Sequence, residues 1–321
     1  MNGNGVHPAT PIADPARLAR LEAARLRYAE RTAPGDGLRI DPARLARFQP
    51  ARDRLASRMG PDSPWLAGRR IQGEDILGVS GLSIRFGGLQ ALDQVTLAAR
   101  TGEVTGVIGP NGAGKTTFFN CVSGLYRPDG GEITYEGRVL RGSAVARGRL
   151  GLGRTFQTPR LFTSLSVLDN LRLGCAVATS TARPYQFEPG LARLSVAERA
   201  ERIARIVGFR GDLAMPAGAL SFGDLRVVEF ARALCAAPRL LMLDEPASGL
   251  DTERAGDLVG LLRRLADLGL AILLIEHDMG FVMGLCDTIT VLDFGTVLAQ
   301  GTPSEVQANE AVIEAYLGRS G

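Results

Sequence analysis

A glycine-rich segment between an apolar run and a helical pattern restricts the possible folds of this chain more than any other feature. The apolar run Val104–Ile108 leads directly into residues 109–117, which fit the pattern G-x-x-x-x-G-K-[ST], and helical spacing follows. Glycines in such a turn let successive backbone N–H groups point inward, and the N-terminus of the next helix adds positive potential. The segment therefore predicts an α/β fold with a phosphate-binding loop between a strand and a helix.

The loop also predicts which side chains meet a nucleotide. Lys115 is the only lysine among the 37 basic residues of the chain, and its compact ammonium has a different geometry from an arginine fork. We expect Lys115 to reach the β- and γ-phosphates of ATP and the Thr116 hydroxyl to bind Mg²⁺. The predicted nucleotide-binding residues of the loop are Gly109, Pro110, Asn111, Gly112, Ala113, Gly114, Lys115, Thr116 and Thr117.

A second apolar run ends in two carboxylates, as the other half of a nucleotide site requires. The run Leu240–Leu243 lacks alternation, which is typical of a strand covered on both faces by helices, and Asp244 and Glu245 follow it directly. We predict that Asp244 holds Mg²⁺ through water. Glu245 would orient or deprotonate the water that attacks the γ-phosphate.

Residues 1–74 differ from the rest of the chain in charge and in repetition. They carry 13 arginines against 8 acidic residues, a net charge of +5, and the motif Asp-Pro-Ala-Arg-Leu-Ala-Arg occurs at 14–20 and again at 41–47. Each copy combines an aspartate N-cap with a proline suited to the first helical position. The region is predicted to be a basic, Arg/Ala/Pro-rich extension, helical in short stretches or disordered. Three interpretations are open. The region is a docking element, for a partner or for an anionic membrane surface; or it is a mobile extension; or translation begins near Met59 and the region is a misassigned start.

The composition excludes several classes of protein. No run of eighteen uninterrupted apolar residues occurs, and the first twenty residues lack the apolar centre of a signal peptide, so the sequence predicts neither a membrane span nor secretion. Acidic residues interrupt the basic region, which argues against nucleic-acid binding. The cysteines lie far apart without paired spacing, so they are expected to be buried thiols and not disulfides or zinc ligands: Cys121, Cys175, Cys235 and Cys286.

From residue 75 onward, β-rich runs are followed by helical spacing. Ile76–Phe86 and Val95–Ala99 show the alternation of antiparallel strands, whereas Ile272–Ile275 is continuously apolar. The predicted fold is an α/β domain over residues 75–321 with an added antiparallel β region. Its parts are expected to be a nucleotide-binding core at 75–155 and 236–300, an inserted helical subdomain at about 158–235, and a terminal helix at 302–318.

Further segments, in a fixed order, make residues 75 to about 300 resemble an ATP-binding-cassette (ABC) ATPase with a P-loop NTPase fold. Phe86 stands where that family has an aromatic that stacks on adenine, Gln157 where it has the Q-loop glutamine, and His277 where it has the switch histidine. Leu220–Asp224 resembles the signature loop and Ser248–Asp251 the D-loop. The resemblance implies catalytic roles for Gln157, Glu245 and His277, magnesium binding by Thr116, Gln157 and Asp244, and nucleotide contacts by Phe86, Ser221, Gly223 and Asp251.

The same resemblance implies a second ATPase chain, in a homo- or heterodimer. Ser221 precedes a predicted helix, so its hydroxyl and the Gly223 amide would face a phosphate that the loop of the same chain does not reach. In the family, two ATP molecules are held between two cassettes. Asp224 stands where the usual signature residue is glutamine. Its carboxylate would repel phosphate and weaken the shared site, unless it points away from the nucleotide.

Four stretches resemble the ATPase subunits of branched-chain amino-acid importers: Ile84–Leu89, Arg154–Phe162, Glu276–Met279 and Ala315–Gly318. The similarity to the urea and amide branch is nearly as close. This implies uptake through membrane permease subunits, an extracytoplasmic solute-binding protein as an indirect partner, and a peripheral place on the cytoplasmic face of the inner or plasma membrane. The alternative is a non-transport ABC-type regulatory ATP-binding module.

The sequence leaves two interpretations open both for Phe86 and for the apolar stretch that follows Gln157. Phe86 could be a buried core aromatic and not a base-stacking one. The apolar residues after Gln157 could form a groove for a permease helix or pack inside the helical subdomain: Leu161, Phe162, Leu165, Val167 and Leu168.

Overall fold

The computed structural model describes residues 73–181 and 184–317. The strands are β1 (Asp75–Phe86), β2 (Leu89–Arg100), β3 (Val104–Ile108), β4 (Gly130–Tyr135), β5 (Arg138–Val139), β6 (Leu152–Arg154), β7 (Leu240–Asp244), β8 (Ala271–Ile275), β9 (Thr288–Asp293) and β10 (Thr296–Gly301). The helices are α1 (Lys115–Val122), α2 (Ala144–Leu150), α3 (Val167–Thr181), α4 (Val196–Ile206), α5 (Phe222–Cys235), α6 (Thr252–Asp267), α7 (Met279–Leu285), α8 (Pro303–Gln307) and α9 (Glu310–Leu317). Almost all of the predicted extension, residues 1–72, lies outside the described residues.

Within the described residues, a six-stranded sheet in the order β10-β9-β3-β8-β7-β6 forms the centre of the fold. The pairs from β9 to β6 are parallel, and β10 is antiparallel to β9. Along β7, Leu241 and Leu243 enter one apolar cluster, whereas Leu240 and Met242 enter another. Because alternate side chains enter clusters on opposite faces, β3, β7 and β8 are buried along their whole length. The prediction that these strands are buried on both faces is confirmed, but helices alone cover only one of the two faces.

The two faces of the central sheet are covered by different structures. One cluster joins it to α1 and to an antiparallel sheet, of order β2-β1-β4-β5, whose inward side chains include Leu77, Val79 and Leu82. The other cluster joins it to helices α3 to α7. The antiparallel region expected from the alternation of Ile76–Phe86 is therefore present, and β4 and β5 extend it.

Helices α3, α4 and α5 lie between β6 and β7 in the sequence, where an inserted helical region was expected. Tyr185 is buried among them, and its hydroxyl donates to the Cys235 carbonyl at 2.6 Å. The cysteines are buried free thiols, as predicted. The division of the chain into an extension, a core and a helical subdomain stays a prediction.

The terminal segment differs from the single helix expected at 302–318. Thr302 caps α8, with Pro303 at its first turn, and α8 ends at Gln307. The Asn309 side chain then accepts from the amides of Ala311 and Val312 and starts α9 as a separate helix. None of the helices in the described part of the chain is long and apolar enough to cross a membrane.

Candidate functional site

The glycine-rich loop lies where β3 ends and α1 begins. Gly114 is the N-cap of α1 in the left-handed conformation (φ 100°), and a Cβ atom there would come 2.7 Å from the Ala91 carbonyl oxygen of β2. Gly109 is likewise packed against the Leu292 carbonyl at the end of β9. The loop is therefore fitted against β2 and β9, and side chains at these two glycines would displace it.

The Lys115 ammonium lies within this loop. Its Nζ donates to the carbonyl oxygens of Gly109 at 2.6 Å and Pro110 at 2.9 Å. Thr116 is exposed on the first turn of α1, beside Thr117. The loop thus places an ammonium, a hydroxyl and a helix N-terminus together, which suits the triphosphate of a nucleotide.

Asp244 is the last residue of β7 and is buried. Burial raises the pKa of its carboxyl group, and the Arg154 guanidinium, 3.4 Å from Oδ2, and the Lys115 charge oppose that rise. Arg154 also donates to Asn120 Oδ1 at 2.9 Å and Ser123 Oγ at 2.6 Å, at the end of α1. Arg154 therefore connects the helix of the phosphate-binding loop to the carboxylate of the next strand.

Glu245 has a strained backbone. Its φ is +49°, a left-handed value that is costly for a residue with a Cβ, of order 1–3 kcal/mol. Its amide donates to the Ile275 carbonyl at 2.9 Å, and its own carbonyl accepts from Arg226 Nη1 at 2.9 Å. Hydrogen bonds from two sides thus hold the conformation that turns this residue away from the path of the strand.

The predicted catalytic side chains meet at the Glu245 carboxylate. Gln157 Nε2 donates to Glu245 Oε2 at 3.0 Å, and His277 Nδ1 lies 3.9 Å from the same oxygen. Gln157 and His277 are exposed, whereas the Glu245 side chain is 23% exposed. Residues more than thirty positions apart along the chain therefore form one polar cluster.

Glu276 supports this cluster and received no role in the sequence analysis. It is buried, it accepts from the amides of Ala247 at 2.8 Å and His277 at 3.0 Å, and its Oε2 lies 3.6 Å from His277 Nδ1. Burial raises the pKa of Glu276, and these backbone donors oppose the rise. Glu276 thus holds the loop of His277 against the segment that follows Glu245.

Arg226 connects two of the functional loops and was also missed. This buried residue of α5 donates from Nη1 to the Glu245 carbonyl at 2.9 Å and from Nη2 to the Gln157 carbonyl at 2.8 Å. Three residues further along α5, buried Glu229 accepts from the Arg160 amide at 2.8 Å, and burial raises its pKa. No spacing rule marks these contacts, because they join distant segments.

We expect the substitution Arg226→Lys to lower the kcat of ATP hydrolysis about tenfold and to change KM by less than about twofold. A lysine ammonium cannot span the two carbonyl groups that the guanidinium joins, so Glu245 and Gln157 lose their common support, while the phosphate-binding loop is untouched. Steady-state kinetics measures kcat and KM separately. Arg205→Lys, at an exposed position of α4, is the matched control. An unchanged kcat would show that Arg226 does not position these residues.

The signature residues form a second group. Ser221 caps α5, where its Oγ accepts from the Asp224 amide at 3.2 Å and donates to Asp224 Oδ2 at 2.7 Å. Asp251 caps α6 by accepting from the Arg254 amide at 2.8 Å. Arg254 Nη1 lies 3.4 Å from Asp224 Oδ1 and borders the Cα of Gly223. Gly223, Asp224 and Asp251 therefore border Arg254, and Ser221 joins them through Asp224.

The structure bears on the interpretations left open for Phe86 and for the apolar stretch after Gln157. Phe86 is 42% exposed and stacks edge-on against Tyr126 with ring centroids 5.3 Å apart, so the core interpretation is wrong. Among the apolar residues after Gln157, Val167 is buried in the helical cluster, whereas Phe162 and Leu165 are exposed. The packing interpretation therefore holds for Val167, and the groove for a permease helix stays a prediction.

Comparison with known proteins places these features in a family context. The ABC transporter family profile matches residues 92–248, and the profile of the branched-chain amino acid ATP-binding cassette transporter matches residues 296–321. A solved structure of the ADP conformation of an ATP-binding cassette of an ABC transporter is similar, with a TM-score of 0.66 and 29% identity. That similarity covers 77% of this chain and 100% of the solved one.

Two curated relatives are similar over nearly their whole length. The chain is 41% identical over 261 residues to the high-affinity branched-chain amino acid transport ATP-binding protein LivG of Salmonella typhimurium, which covers 77% of this chain and 99% of the relative. It is 41% identical over 255 residues to the corresponding protein BraF of Pseudomonas aeruginosa, which covers 76% of this chain and 98% of the relative. The family match at residues 92–248 includes the phosphate-binding loop, Gln157 and Glu245.

Proposed function

Because this chain belongs to the ABC transporter ATP-binding cassette family, we propose that it is the ATP-hydrolysing subunit of an importer that takes up branched-chain amino acids through membrane permease subunits. The observation that carries the proposed hydrolysis is the meeting of Gln157 and His277 at the Glu245 carboxylate, one residue after Asp244. The proposed substrates rest on the similarity to LivG and BraF. This cluster combines a candidate base with two polar groups that can orient it.

ATP binding begins at the loop between β3 and α1. The backbone N–H groups of residues 109–114 and the α1 N-terminus surround the phosphates, and Lys115 exchanges its loop carbonyls for β- and γ-phosphate oxygens. The exposed ring of Phe86 stacks on the adenine. Positioning of the triphosphate is the first contribution of this chain to hydrolysis.

Mg²⁺ fits the oxygen donors on this side of the site. Thr116, Gln157 and Asp244 offer a hydroxyl, an amide oxygen and a carboxylate, the hard ligands that Mg²⁺ prefers. In the described residues, no group of three or more His, Cys, Asp and Glu side chains could hold a metal by itself. The ion would be bound through few protein oxygens together with phosphate, where it would neutralise charge on the phosphates.

Hydrolysis follows from the cluster at Glu245. The carboxylate orients the attacking water and accepts its proton, so that the water oxygen bonds to the γ-phosphorus while the bond to the β-phosphate oxygen breaks. His277 donates to the γ-phosphate and, with Gln157, keeps the Glu245 carboxylate in line. The strained backbone of Glu245 is the local cost of presenting the carboxylate there.

A second cassette completes each site. Ser221 and Gly223 lie at the N-terminus of α5, so their hydroxyl and amide serve a γ-phosphate bound to another chain, and Asp251 lies beside them in the same interface. ATP then joins two chains, and hydrolysis removes the charge that holds them.

The permease partner is assigned to the helical side of the chain. Phe162, Leu165 and Met215 have exposed side chains on two adjacent backbone segments, because the Leu165 carbonyl accepts from the Ala217 amide and the Val167 amide donates to the Met215 carbonyl. An apolar surface of this kind suits a helix of a membrane protein. The chain would then lie peripherally on the cytoplasmic face of the membrane, with a solute-binding protein acting only through the permease.

We expect cells that lack this chain to lose uptake of radiolabelled leucine, isoleucine and valine by at least about tenfold at low substrate concentration, because the cassette supplies the energy for transport. The wild-type chain should restore uptake, and Glu245→Gln should not. The relatives LivG and BraF, named for branched-chain amino-acid transport, favour these substrates over urea. Loss of urea uptake with unchanged leucine uptake would contradict the proposed substrate, and loss of neither would favour a non-transport module.

A further inference from the structure

The signature loop contains a carboxylate, that of Asp224. The Asp224 carboxylate is bound by the Ser221 hydroxyl at 2.7 Å through Oδ2 and faces Arg254 Nη1 at 3.4 Å through Oδ1. The Ser221 hydroxyl is the donor that the proposed function assigns to the γ-phosphate of a second chain. Asp224 therefore occupies a donor that phosphate needs, and its negative charge opposes phosphate directly.

Arg254 is the counter-charge at this loop. Its guanidinium lies between two carboxylates, 3.4 Å from Asp224 Oδ1 and 3.8 Å from Asp251 Oδ2. It also lies directly on Gly223, where an added Cβ atom would be 2.5 Å from Arg254 Nη1. Without Arg254, two uncompensated carboxylates would stand beside the surface that meets the phosphate.

We propose that Arg254 is a positioning residue of the shared ATP site: it neutralises the charge of Asp224, so that Ser221 and Gly223 can receive the phosphate of a second chain. The inference rests on the proposed function and adds a residue outside the signature loop to it. Its distinctive consequence is that the effect of Arg254 depends on Asp224. A residue that only stabilised α6 would act in the same way whatever stood at position 224.

The test measures ATP-dependent dimerisation of the full chain in the Glu245→Gln background. Arg254→Gln, Asp224→Asn and the double variant are compared by sedimentation in Mg-ATP, with Arg254→Lys as the conservative variant. We expect Arg254→Gln to weaken the dimer about tenfold, because a partly exposed carboxylate then faces phosphate without its counter-charge. Asp224→Asn should strengthen the dimer, the double variant should match Asp224→Asn within about twofold, and Arg254→Lys should retain most of the affinity.

Two controls separate this effect from misfolding. The thermal midpoint and the binding of ATP to the monomer should be unchanged in each variant, since the phosphate-binding loop is a separate part of the chain. The role of Arg254 is overturned if Arg254→Gln dimerises as well as the background. It is also overturned if Arg254→Gln weakens the dimer by the same factor when it is combined with Asp224→Asn. If the Glu245→Gln background itself binds ATP without dimerising, the site shared between two copies of this chain fails, and this inference fails with it.

Discussion

Replacing Glu245 with glutamine is expected to reduce ATP turnover by about 10²-fold or more while ATP affinity stays within about twofold. Glutamine keeps the size of the side chain and can still pair with Gln157 and His277, but it cannot accept the proton of the attacking water. The Gln157 and Arg226 contacts to this residue, at 3.0 Å and 2.9 Å, are made by groups that tolerate the substitution. Phosphate release and calorimetric ATP titration measure the two quantities separately.

Glu253→Gln is the matched control, since it makes the same chemical change on an exposed face of α6. Its turnover should equal that of the wild type. If Glu245→Gln kept more than about a tenth of the wild-type rate, the proton would have another acceptor and Glu245 would have only an orienting role.

Replacing Lys115 with arginine is expected to weaken ATP binding by about 10²-fold, although the charge is kept. The ammonium fits between the carbonyls of Gly109 and Pro110 at 2.6 Å and 2.9 Å, and a planar guanidinium is too large for that position. The larger group would push out of the loop and leave the β- and γ-phosphates without their central cation. Titration calorimetry with ATP measures the loss directly.

The control for that substitution is Arg138→Lys on the exposed strand β5, which makes the reverse exchange far from the loop. ATP affinity should be unchanged there. Wild-type affinity in Lys115→Arg would mean that the loop accepts either cation, and the retention of one lysine in an arginine-rich chain would lose its explanation.

The parts of the site that were predictable from the sequence are those defined by local spacing. The loop at 109–117, the carboxylates after Leu240–Leu243 and the cap at Ser221 each lie in one short segment, so turn and helix rules reach them. The strands β3, β7 and β8 were predictable for a similar reason, because burial on both faces leaves a continuous apolar run.

The supporting residues could not be predicted, because their roles come from contacts between distant segments. Arg226 bonds to carbonyls 19 and 69 positions away, and Arg154 meets Asp244 across 90 positions. An arginine in an arginine-rich sequence carries no signal of such a contact. The division between α8 and α9 was missed for a smaller reason: Asn309 acts as a cap through its side chain, and helical spacing continues across it.

The shared ATP site is tested most directly by the molar mass of the Glu245→Gln chain, measured by light scattering with and without Mg-ATP. If two chains hold two ATP molecules between them, the mass should rise from 34.1 kDa without nucleotide to twice that value with it, and fall again when ATP is removed. A chain that has bound ATP at saturation and stays at 34.1 kDa would contradict a site shared between two copies of this chain.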